Sequence, residues 1–154
     1  MNMITTRKLA TILMALPLWL TACTTELDTQ LMLAARKGYM QRVRTLLNAG
    51  ADANTTTIRG YPVLLYSAAI GDAEAVQALI DAGAQIDLSN SLDRETWTPL
   101  IYAASGGHKV TVKLLLEAGA DVNAERLGTT ALGVARSQGH THLEQLLREA
   151  GATE

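Results

Sequence analysis

The stretch Thr98-Pro99-Leu100-Ile101-Tyr102-Ala103-Ala104-Ser105-Gly106-Gly107, with Val112…Leu115-Leu116…Gly119 behind it, decides how this chain folds. It holds two short apolar segments, each closed by a glycine, and the closing glycines are 12 residues apart. In the second segment the V-x-x-L-L spacing sets apolar groups at i, i+3 and i+4, one stripe of a helix. Ala103-Ala104 keeps one face of the first segment thin, so that a second helix can approach closely. Gly119 stands where a helix ends and a left-handed residue is wanted.

Working outward, the pattern recurs three more times. Thr29–Gly38, Pro62–Gly71 and Thr130–Gly139 superimpose on Thr98–Gly107, and the four starts are 33, 36 and 32 residues apart. Behind these glycines come Val43…Leu46-Leu47…Gly50, Val76…Leu79-Ile80…Gly83 and Leu143…Leu146-Leu147…Gly151, each glycine pair again 12 residues apart. Each segment is shorter than the ~12 residues at which an isolated helix becomes marginal, so stability must come from stacked neighbours.

A period near 33 with Thr98-Pro99-Leu100, Gly50-Ala51-Asp52-Ala53-Asn54 and Gly119-Ala120-Asp121-Val122-Asn123 resembles the ankyrin repeat. The resemblance runs from Thr29 to Gly151 and implies an all-α solenoid of four helix-turn-helix units with β-turn fingers, with repeats at about 29–61, 62–97, 98–129 and 130–154. Three departures stand out. The histidine of the family's T-P-L-H motif is replaced by Met32, Leu65, Ile101 and Gly133, which predicts weaker polar tethering of the turns. Extra residues around Ser89–Glu95 predict one protruding finger. In the last unit Glu144 and Arg148 stand where the third has Val112 and Leu116, the polar change an end cap requires. The first unit has no obvious polar cap.

Composition is consistent with closely stacked helices. The 154 residues suffice for one modest domain. They are 48% apolar with 4% aromatics and no Phe, so the core must be Leu, Ala, Val and Ile. A net charge of −2 offers no basic face for nucleic acid.

The N-terminus differs in kind. Arg7 and Lys8 precede an apolar run, Leu9 to Leu20, broken only by Thr11 and Pro17. That is too short for a membrane-crossing helix, which needs ~20 residues, and the right length for the core of a secretory signal. It ends in Leu20-Thr21-Ala22-Cys23, which resembles a bacterial lipobox, where a small residue precedes a cysteine that is lipidated and becomes N-terminal. The other reading is an ordinary signal followed by an unrelated cysteine. Cys23 is the only cysteine, so neither an intramolecular disulfide nor a thiolate metal site accounts for it. Residues 1–22 are therefore expected to be the lipoprotein signal and 23–28 the lipidated Cys23 and a short stalk, with the repeats in 29–154. Thr24 rather than Asp behind the cysteine favours, by the sorting rule of such lipoproteins, the periplasmic leaflet of an outer membrane. Removing 1–22 takes away Arg7 and Lys8 and no acids, leaving 11 basic and 15 acidic side chains. At net −4 the mature chain is not expected to be drawn to anionic lipid by charge, so the lipid must do the anchoring.

Catalytic chemistry finds little footing. His108 and His140 follow the glycine that opens the second helix of a unit, a place where histidines are structural or solvated. His140 and His142 are two apart, a poor helical metal pair. Gly106-Gly107-His108-Lys109 lacks the upstream glycine and strand of a phosphate loop. No serine elbow or calcium loop is present in the sequence. No cofactor, metal or enzymatic activity is expected.

What the family resemblance implies instead is recognition of a protein through turn tips and the exposed end of the first helix of each unit. Position by position, the turn residues are Ile58, Arg59 and Tyr61; Arg94, Glu95 and Trp97; and Arg126, Leu127 and Thr129. The helix residues are Arg36 and Lys37, Ala69 and Ile70, Ser105 and Gly106, and Ser137 and Gln138. Trp, Tyr and Arg are the types enriched at binding hot spots. Trp97 is expected at the tip of the longest finger, while Tyr66 and Tyr102 read as core. Small periplasmic lipoproteins with ankyrin repeats resemble immunity proteins that neutralise secreted toxins such as lipases. A helper or stress-protection factor for a periplasmic enzyme is the competing expectation.

Overall fold

The computed structural model describes residues 26–89 and 97–153. Among the described residues eight helices succeed one another: α1 (26–36), α2 (Met40–Asn48), α3 (Val63–Ile70), α4 (Ala73–Asp81), α5 (Pro99–Ser105), α6 (Lys109–Glu117), α7 (Ala131–Ser137) and α8 (Thr141–Glu149). The described residues hold no strand, only the isolated antiparallel bridges Thr56–Pro62 and Arg126–Thr129. Residues 26–28, placed above with the stalk, are helical and open α1, because the chain enters the first repeat about one turn earlier than the alignment suggested.

Local chemistry sets the helix ends. Thr98 and Thr130 cap α5 and α7 by accepting from the amides of Ile101 and Gly133, and Pro99 occupies the first turn, where its missing N–H costs nothing. Asp72 caps α4 through the amide of Ala75. Gly50, Gly83 and Gly119 are left-handed behind the outer helices, at φ +96°, +86° and +93°.

Packing follows from the small residues. The inner helices stack in order, α3 on α5 and α5 on α7, and the outer helices do likewise, α2, α4, α6, α8. Ala68, Ala103, Ala104 and Ala135 are fully buried at the inner seam. Leu79, Val112 and Leu115 fill the outer one. In the last unit the buried pair is Leu143 and Leu147, at the places of Thr111 and Leu115, while Glu144 takes the place of buried Val112. That substitution leaves Glu144 half-buried and 3.6 Å from Arg136, so the C-terminal end closes with a polar surface. Among the described residues nothing covers the N-terminal end in this way, and Leu33 and Tyr39 are more than half exposed there.

The turns are not weakly tethered. Without the motif histidine, the tie is made by the Asn or Asp at the end of each G-A-x-x-[N/D] turn. Asn54 donates to the carbonyl of Gly83 (3.1 Å) and accepts from the amide of Gln85 (2.7 Å) in the next repeat. Asn123 repeats this with Gly151 and Thr153. Asp87, at the equivalent position, accepts from the amide of Asp121, and Asp28 accepts from that of Asp52. A second row runs through the histidines: His108 Nε2 meets the carbonyl of Ala69 and His140 Nε2 that of Ser105, each at 3.1 Å in the preceding repeat. Both histidines are thus structural, and their rings lie against glycine backbone. A Cβ on Gly71 (φ +80°) would overlap His108 Cγ and Nδ1, and one on Gly107 would come within 2.8 Å of His140 Cε1.

Candidate protein-binding face

Fingers and inner helices share one side of the stack. In the first finger the amide of Thr57 donates to the carbonyl of Tyr61 and that of Gly60 to Thr57, which drives the tip outward. Ile58 stands wholly exposed there, beside exposed Arg59. In the finger between the last two repeats Arg126 and Thr129 exchange both backbone hydrogen bonds. Leu127 and Gly128 between them have φ +54° and +69°, the pair a type I′ turn demands. Leu127 is the one described non-glycine residue with positive φ, and its side chain is 68% exposed. A bulky residue held in that strained region at a tip is informative, because strain persists only where its surroundings fix it.

Aromatic placement differs from the sequence expectation. Trp97 and Tyr61 are not at tips but at finger bases, both half-buried, just before the residue that caps the inner helix. Trp97 packs against the core and lies 5.3 Å from Tyr102, with ring planes 60° apart. Tyr61 meets Tyr66 edge-on at 6.4 Å. Tyr66 and Tyr102 are half-buried rather than core, because their places, five residues before the closing glycine, lie on the flank of the inner helix that looks toward the finger. The two central repeats therefore each carry an aromatic pair, and Tyr66 and Tyr102 belong to the candidate face. The signal was in the sequence: Tyr61 and Trp97 stand ten residues before the glycine, Tyr66 and Tyr102 five, in both units.

The remaining residues fall in two bands. Arg126 and Thr129 are half-buried in the last finger. Arg36 reaches the first finger, where with Met32, Leu33, Thr55 and Ile58 it lines a groove of about 530 Å³. Lys37, Ile70, Ser105 and Gln138 lie instead at the far ends of the inner helices. Ile70 is 46% exposed. The carbonyl of Ser105 is taken by His140, and Lys37 lies over the ring of Tyr39, its Nζ 5.8 Å from the centroid. An inner helix of eight residues is about 12 Å long, so the bands are separate contact zones on one face. Cys23, Arg94 and Glu95 lie outside the described residues.

Among the described residues the arrangement presents aromatic and apolar side chains on a repeated frame rather than a cluster of polar groups. That is the design of a helical-repeat binding scaffold. The family description "Ankyrin repeats (3 copies)" matches residues 31–126 and 64–153, and the chain belongs to the ankyrin-repeat family. It is 31% identical over 116 residues to the putative ankyrin repeat protein YahD of Escherichia coli K12. That match takes in 75% of this chain, and the chain spans 56% of the relative's length. Ankyrin repeats make the protein a protein–protein interaction module, a fold that serves typically as a non-enzymatic scaffold.

Proposed function

We propose that the protein is a lipoprotein of the bacterial envelope, held through Cys23 at the periplasmic face of the outer membrane, whose repeats bind and neutralise a secreted toxin. The anchoring half of this reading rests on the basic residues, the apolar run and the Leu20-Thr21-Ala22-Cys23 box in register. The binding half rests on the pairs Tyr61–Tyr66 and Trp97–Tyr102, with Arg59 in the finger of Tyr61 and Arg126 in the next finger beyond Trp97. A partner docking there would bury flat aromatics beside guanidinium groups, the combination that loses most on truncation.

Capture from envelope extracts with the purified protein identifies the partner, and a toxin encoded beside the gene is the expected result; a resident enzyme would instead support the helper role. With the partner in hand, Trp97→Ala should weaken binding by about 2 kcal/mol or more. Because Trp97 also packs on Tyr102, a modest loss in melting temperature should accompany it. Lys113→Ala, on an outer helix and paired only with Glu117 at the surface, should bind and melt like wild type. Normal binding by Trp97→Ala with failure of Lys113→Ala would move the interface to the outer helices. For the anchor, Cys23→Ala should abolish incorporation of a palmitate analogue, and equal labelling of mutant and wild type would remove the lipoprotein assignment.

A further inference from the structure

Charge is divided unevenly along the stack. Residues 26–50 hold Arg36, Lys37, Arg42 and Arg44 against Glu26 and Asp28, a net of +2, whereas residues 51–154 hold 7 basic and 13 acidic side chains, a net of −6. The positive part is also the uncapped end. There Gln30, Leu33, Ala34, Lys37, Tyr39 and Arg42 line a shallow depression of about 170 Å³. Arg42 is held in place by Gln30 Oε1 at 2.9 Å, and Gln30 in turn donates to Glu26. Tyr39 under the Lys37 ammonium puts an amphipathic ring and a cation side by side.

Resting on the lipoprotein reading above, we infer that this open end of the first repeat docks on an anionic lipid bilayer, with Lys37 and Arg42 meeting headgroup phosphates and Leu33 and Tyr39 lying at the interface. Covalent geometry argues for that occupant. Glu26 is three residues from Cys23, so the chain can hold α1 no farther than about 10 Å from the anchor. That is within about one screening length of the headgroups, where basic side chains are attracted. At 11 residues α1 is only about 16 Å long, so lying along the membrane it keeps Lys37 in the same zone. The acidic remainder is repelled by the same lipid. Attraction at one end and repulsion over the rest would stand the stack away from the membrane, with Leu33 and Lys37 given to the lipid and the aromatic pairs of the central repeats free. The mature chain's overall negative charge hides this division.

The test uses the full lipidated protein reconstituted in vesicles of phosphatidylethanolamine with phosphatidylglycerol, and in phosphatidylcholine alone. A fluorophore is placed on Gln41→Cys, exposed beside Arg42, or on Gln145→Cys at the far end, and quenched by headgroup nitroxide lipid. Quenching at 41 should exceed that at 145 on the anionic vesicles and fall roughly fivefold for each basic side chain lost, in Lys37→Gln and Arg42→Gln. High salt on the unaltered chain should have the same effect without risk to folding. Equal quenching at both positions, or quenching at 41 that ignores phosphatidylglycerol and salt, overturns the inference; an unquenched 41 label in a chain of dimeric mass would give the end to a second copy. Protein that fails to float with vesicles at all overturns the lipid anchor instead, so the two failures are distinct.

Discussion

Gly71→Ala is expected to lose about 3 kcal/mol of stability, against about 1 kcal/mol for Gly119→Ala. Both glycines are left-handed, at φ +80° and +93°, and an L-residue there costs about 1–2 kcal/mol. What separates them is the neighbour. A Cβ on Gly119 meets nothing within 4 Å, whereas one on Gly71 would occupy the space of the His108 ring. That ring cannot turn aside without releasing its hydrogen bond to Ala69, so overpacking of about 1–3 kcal/mol adds to the backbone cost. Urea unfolding followed by circular dichroism measures both variants. Adding His108→Ala to Gly71→Ala should return part of the loss. Equal destabilisation by the two glycine variants would show that the histidine yields freely, and the tie between repeats would then carry little.

Leu79→Ala should cost about 3 kcal/mol, within the 2–5 kcal/mol range for large-to-small changes in a core. Leu79 is wholly buried on α4, and α4 packs between α2 and α6, so the cavity opens where two neighbours depend on it. A domain of this size is stable by about 5–15 kcal/mol, so a large share goes at once. Because repeats touch only their neighbours, weakening the second should also uncouple the first from the rest. The wild type should unfold in one transition and the variant in a broadened or divided one. A loss below about 1 kcal/mol with one sharp transition would mean that the seam closes over the gap.

Those two sites also mark what the sequence made legible. Helix order, repeat frame and turn glycines could be read directly, because the spacing of Val112, Leu115 and Gly119 is a property of a single helix and its end. The end cap was readable for the same reason, as polar residues replaced apolar ones in a known frame. Ties between repeats were not. The missing motif histidine argued for loose turns, while Asn54 and Asn123 were already in the quoted motifs but had no visible partner. Whether a side chain reaches the next repeat depends on the offset of the stack, which no single unit encodes. Trp97 is similar: its place just before Thr98 was readable, but its packing on the Tyr102 ring, 5.3 Å away, is a tertiary contact that no local spacing encodes.

Side-chain hydrogen bonds that join one repeat to the next span from 28 residues, Asn123 to Gly151, to 39, Ala69 to His108. Each is a distance of about one unit, and apart from Thr153 Oγ1 donating to Asn123 Oδ1, those described pair a side chain with a backbone group rather than with a partner side chain. The recognition code between units is therefore generic. A gene duplication that copies one whole unit in frame would present the same carbonyls and amides to the same asparagines and histidines. The chain could lengthen or shorten by recombination without inventing a new interface, while its finger residues drift to suit a changing partner.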